Sequence, residues 1–113
     1  MDFNYFLYEN IIVMQLEGDL LGFSKEEELL TLSSNYLKFG LFHCVIDLQR
    51  VQHMNSAGLS FLVRALTTLK NKNGKTVLVK PSQQTNKLLS ITKLDRVFTI
   101  TQSRQAAIRL IQE

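Results

Sequence analysis

Most of what a 113-residue chain could use to staple itself together is missing here. There is one cysteine, Cys44, so no internal disulfide can form, and a lone thiol inside an apolar run behaves as a small hydrophobe. That usage fits a reducing, cytoplasmic setting. There is one proline, Pro81, and no tryptophan. Five glycines and a single proline leave no flexible or polyproline-like linker, so one domain over residues 1–113 is expected. No apolar run reaches the length that spans a bilayer, and the acidic start Met1-Asp2-Phe3-Asn4 lacks the layout of a secretion signal. The net charge of +3 is small and scattered, which argues against direct nucleic-acid binding. Hydrophobic residues at 45% and charged residues at 20% describe an ordinary globular domain, able to bury a core without metal.

The chain is organised around residues 41–69. Residues 41–48 form an apolar run suited to a strand covered on both faces. Leu59, Leu62, Val63, Leu66 and Leu69 then recur at the spacing of one α-helical face. Ser56 stands at the junction, where its hydroxyl is expected to cap the helix. The start of a helix also tolerates an added anion, so a phosphate on Ser56 would be compatible with the fold. Phe61 falls away from the leucine face, beside Gly58 and Ala65. Two readings follow: a patch that a partner covers, or a side chain covered by another helix of the same domain.

Before this centre, residues 3–8 and 11–16 read as strands. Glu9-Asn10 between them suits a tight hairpin, with Asn10 accepting a positive φ. Ser24 and Glu27 have capping-box spacing for a helix whose apolar face is Leu29, Leu32, Tyr36 and Leu37, with Gly40 as its stop. After the centre, residues 76–79 read as a strand, and Ser82 caps a helix running to about residue 93. Residues 97–100 read as a last strand and residues 103–111 as a last helix. Strands alternating with helices predict parallel pairing, and the opening hairpin adds an antiparallel piece. The expectation is an α/β domain with a mixed sheet and about four helices.

Catalytic chemistry finds little support. There is no Gly-rich phosphate loop, and His43 and His53 have no further ligands at metal-binding spacing, so neither metal nor cofactor is expected. Asp47 reads as a strand-end carboxylate that accepts loop N–H groups. Glu26 to Glu28 and the lysines of residues 70–75 complement helix dipoles at their respective ends.

The run Val45-Ile46-Asp47-Leu48, with Val51 and then Met54-Asn55-Ser56-Ala57-Gly58-Leu59, resembles the signature of the STAS domain. Leu16-Glu17-Gly18-Asp19-Leu20, Lys75 to Pro81, and Leu94 to Phe98 extend the resemblance over nearly the whole chain. It implies a stand-alone bacterial anti-sigma-factor antagonist, a non-enzymatic cytoplasmic module in transcription regulation by partner switching. Such a module binds an anti-sigma factor with serine kinase activity and is phosphorylated on the serine that matches Ser56. It inserts in no membrane, and no small-molecule ligand is expected. Asn55, Ser56, Ala57, Gly58 and Phe61 are the partner-binding candidates. Two residues depart from the family pattern: Asn55 stands for the usual aspartate and Ala57 for a hydroxyl residue. The alternative is a STAS-like accessory subunit of an ABC-type membrane transporter, without phosphorylation.

Overall fold

In the strand Ile11–Glu17, alternate residues go to two different cores. Ile12, Met14 and Leu16 join one cluster, and Ile11 and Val13 join another. A strand can do this only when both faces of its sheet are covered. The computed structural model describes residues 2–22, 24–37, 40, 43–70 and 74–113, with the side chains of residues 24–26, 33, 36, 37, 69 and 70 outside that description. The elements are β1 (Asp2–Tyr8), β2 (Ile11–Glu17), α1 (Ser24–Leu37), β3 (His43–Arg50), α2 (Ser56–Lys70), β4 (Thr76–Val79), α3 (Gln83–Ile91), β5 (Thr99–Thr101) and α4 (Arg104–Gln112), with a 3-10 turn at Leu94–Arg96.

The five strands lie in sequence order. β1 pairs antiparallel with β2, and β2, β3, β4 and β5 pair in parallel. Because the parallel strands advance across the sheet in one direction, right-handed crossovers place α1, α2 and α3 on one face. The larger core lies there, with Leu29, Leu59, Leu62 and Leu89 from the helices against Ile12, Ile46, Leu48 and Leu78. α4 covers the other face, where Ala107 and Ile111 meet Val13, Val45, Val77 and Val79. The expected α/β architecture with a mixed sheet is therefore the observed one.

Local details differ from expectation in ways that packing explains. Tyr8 faces Ile11 across a two-residue turn, as the hairpin reading required. The positive φ falls on Glu9, at 54°, rather than on Asn10. The last strand begins at Thr99, two residues later than expected. Phe98 sits in the larger core, 4% exposed, and reaches it from a turn instead of a ladder, while Val97 is exposed. α3 stops at Ile91, and Lys93 takes a left-handed φ of 63° that starts the 3-10 turn. Ser82 and Ser103 cap α3 and α4, accepting from the N–H groups of Thr85 and Ala106. The capping role expected of Ser24, the packing of Tyr36, Leu37 and Leu69, the strand start at residues 41 and 42, and most of the basic run at residues 70–75 lie outside the described residues.

Phe61 requires a correction as a partner-facing residue. It is 3% exposed and belongs to the larger core. α2 packs on the sheet and also lies alongside α1, so it buries a broader arc than the single leucine stripe suggests. Of the two readings of Phe61, the structure selects the internal one.

Candidate functional site

α2 begins at Ser56, and its cap is the residue before. Asn55 Oδ1 accepts from the Gly58 N–H at 2.9 Å, and the Asn55 carbonyl accepts from the Leu59 N–H at 2.9 Å. Ser56 was expected to cap this helix; the structure moves that role to Asn55 and leaves Ser56 exposed as the first helical residue. Both residue types cap well, so local preference does not choose between them. The choice is made by partners far along the chain. The Asn55 main-chain N–H donates to the Leu20 carbonyl at 3.3 Å, and its Nδ2 donates to the Leu21 carbonyl at 3.2 Å. Satisfying both pins residue 55 outside the helix and makes residue 56 its start.

Segment 20–22 lies directly on the first turn of α2. Leu20 forms an isolated parallel bridge with Met54, and its N–H donates to the His53 carbonyl at 3.0 Å. Gly58 is buried, and a Cβ built on it would overlap the Leu20 carbonyl oxygen. Gly22 has a φ of +90°, and a Cβ there would overlap that of Ala57. Glycine at 58 and at 22 is thus required by the close approach of the two segments. Gly58 is a spacer inside the fold, which corrects its place among the partner-binding candidates. Ala57 is exposed at the edge of this contact.

The loop before α2 is held from its other side by α3. Gln84 grips the main chain of Met54 twice: its Oε1 accepts the Met54 N–H at 2.9 Å and its Nε2 donates to the Met54 carbonyl at 3.1 Å. Ser82 Oγ donates to the Gln52 carbonyl at 2.8 Å. Asp19 Oδ1 accepts the His53 N–H at 3.3 Å and lies 3.5 Å from His53 Nδ1. A loop of five residues between a strand and a helix is thereby tied to two other loops, and Ser56 is presented from a fixed platform.

Beyond the first turn, the exposed strip of α2 runs through Ser56, Ser60, Arg64 and Thr67. Arg64 makes a two-pronged ion pair with Glu27 of α1, at 2.6 and 3.3 Å. Hydrogen bonding and the charge of Arg64 hold the Glu27 carboxyl below its ordinary range. Both side chains are exposed, so the pair adds little to stability. It does neutralise the charge that Arg64 would otherwise present. Asp47 behaves as expected in accepting the Gln49 N–H at 3.0 Å. It is also buried, and Arg104 of α4 donates to its Oδ2 at 2.7 Å while lying 5.7 Å from the centre of the Phe6 ring.

His43 is placed elsewhere, where its Nδ1 accepts the Lys75 N–H at 3.0 Å. Partial burial, then the charge of Lys75, holds its pKa below the ordinary histidine value, which suits the neutral form that this bond needs. Among the described residues no cluster of histidine, cysteine, aspartate or glutamate is arranged to hold a metal ion, and no helix is long and apolar enough to cross a membrane.

Four features of this site lay beyond sequence reasoning: Gln84, Arg64, Arg104 and segment 20–22. Each acts through a partner 30 to 57 positions away. The one local signal was the adjacency of Ala57 and Gly58, two small residues in a first helical turn.

Comparison with known proteins places this geometry. A family model described as the STAS domain matches residues 5–107. The crystal structure of an anti-sigma factor antagonist, described as putative, from Thermotoga maritima superposes with a TM-score of 0.88 at 20% identity, covering 98% of this chain and 95% of that one. The anti-sigma factor antagonist SpoIIAA in its unphosphorylated form matches with a TM-score of 0.77 at 18% identity, over 98% of each chain. The Bacillus cell fate determinant SpoIIAA in its phosphorylated form matches with a TM-score of 0.77 at 20% identity, over 96% of this chain and 99% of that one.

Proposed function

The chain belongs to the STAS-domain family, and from that premise we propose that it is an anti-sigma-factor antagonist of the cytoplasm that binds an anti-sigma factor kinase and is switched by phosphorylation of Ser56. The observation that carries this reading is the position of Ser56 itself. It is exposed at the first position of α2, while Asn55 does the capping, so its hydroxyl can be modified without removing the bond that starts the helix. The first turn of α2 contains no acidic residue, so its unpaired N–H groups and dipole favour an added anion. That the SpoIIAA fold is known in both unphosphorylated and phosphorylated forms supports the same reading.

The contact surface in this proposal is Asn55, Ser56 and Ala57, continued by Ser60 and Arg64 along the exposed strip of α2. A phosphate would add about −1.5 to −2 charge at its centre. Unfavourable charge at an interface costs several kcal/mol, enough to weaken binding by about a hundredfold or more. Fold and partner affinity are thereby separable, which is what a switch requires.

The test is to incubate the protein with the kinase-type anti-sigma factor of its source organism and ATP, and to map the phosphate by mass spectrometry. Phosphate on Ser56, abolished in Ser56→Ala, is the expected result. Ser56→Asp is expected to fold normally and bind the unmodified protein's partner at least tenfold more weakly. Phosphate on Ser60, or none, would overturn the switch.

A further inference from the structure

The two ends of the Asn55 amide do different work, and only one of them is replaceable by a carboxylate. Oδ1 caps α2 by accepting the Gly58 N–H, which aspartate would do equally well. Nδ2 donates to the Leu21 carbonyl. An ionised carboxylate offers acceptors only, so an aspartate here would set an oxygen against the Leu21 carbonyl oxygen. The same change would put a full negative charge beside Ser56, on a face where Glu27 is matched by Arg64, and where α2 has no acid in its first turn.

We propose that Asn55 is a specificity-determining positioning residue for the Ser56 face. Its amide ties segment 20–22 to the first turn of α2 and keeps that turn uncharged until Ser56 is modified. This rests on the reading of the face as the docking surface. The partner it fits presents neutral hydrogen-bonding groups, and not a lysine or arginine, opposite residue 55. A partner that discriminates in this way would reject the same domain carrying aspartate there, because both the loop edge and the charge would differ.

Asn55→Asp tests the two parts separately. In amide spectra of the isolated protein at neutral pH, the resonances of Leu21, Gly22 and Ala57 are expected to move, while those of β2 to β4 stay in place. As pH falls through the titration of the new carboxyl, the neutral acid regains a donor, so the shifted resonances are expected to return toward the parent positions. Because Asp19 and His53 border the same loop, the parent is titrated alongside, and only movement beyond the parent's at these residues counts. A purely structural loss would not reverse with protonation. In parallel, purified kinase-type anti-sigma factor from the source organism is expected to bind Asn55→Asp about tenfold more weakly than the parent. Loop resonances that neither move nor titrate would overturn the positioning role. Equal affinity of parent and Asn55→Asp would overturn the specificity role. A parent that binds no such factor would overturn the docking reading, and the specificity role with it, while the spectra still decide whether the amide holds the loop.

Discussion

Gly58→Ala puts the packing of the candidate site to a severe test, because helix propensity and tertiary contact pull in opposite directions. In an unobstructed helix, replacing glycine by alanine gains about 1 kcal/mol. Here the added Cβ would overlap the Leu20 carbonyl oxygen and come within 3.0 Å of Met54 Cγ. The obstruction is backbone, so no side-chain rotation relieves it. The Leu20 carbonyl must withdraw, giving up the bond from the Asn55 N–H, worth about 0.5–1.5 kcal/mol. Leu20 is itself fully buried, so moving it strains a packed core at about 1–3 kcal/mol. After the propensity gain, a net loss of about 0.5–3.5 kcal/mol is expected, or about 2–14 °C in melting temperature for a domain of this size. Urea denaturation followed by circular dichroism should show a lower midpoint with an unchanged slope. Ser60→Ala, on the exposed strip of the same helix, is the control and should lie within about 0.5 kcal/mol of the parent. A Gly58→Ala protein as stable as the parent, or more so, would show that segment 20–22 does not press on α2, and the rigid platform for Ser56 would go with it.

Phe61→Ala should cost about 3–5 kcal/mol, the loss expected for an aromatic side chain in the core, and a melting temperature close to the parent's would return Phe61 to the surface. Arg104→Ala should cost about 2–3 kcal/mol by leaving the Asp47 carboxylate buried without its ion-pair partner. The loss should shrink when Asp47 is also replaced by Asn, and strictly additive losses would show that the two are not coupled. Burial pushes the Cys44 thiol up to about 12, from an ordinary value near 9, so a thiol reagent at pH 8 should label the protein only after unfolding. By the same shift, stability from the neutral thiol is complete below pH 9 and declines as pH rises toward 12, so a denaturation midpoint that climbed over that range in the parent but not in Cys44→Ala would contradict it.

The elements of this fold were legible because each depends on its own residues. β2, β3 and β4 are apolar runs, and α2 carries a leucine stripe. The order in which they alternate dictates which face each helix covers once crossovers are right-handed. The candidate site was legible only as a place. Two neighbouring residues, Asn55 and Ser56, both suit a helix cap, and local preference does not separate them, so the expectation of Ser56 as the cap was open to being off by one. The assignment to Asn55 is made by the carbonyls of Leu20 and Leu21, whose pairing with residue 55 no periodicity reveals. Phe61 was misplaced for a related reason, since a wheel with one apolar stripe assumes one packing partner, and α2 has both the sheet and α1. The shift of the cap by one residue changes the chemistry of the site more than its shape. A serine that caps has its oxygen committed to the helix, and phosphorylating it would compete with the bond that starts α2. A serine one position later has no such duty. The asparagine that departs from the family pattern retains the cap and leaves Ser56 free of it, so a change at Ser56 removes no capping bond from this turn.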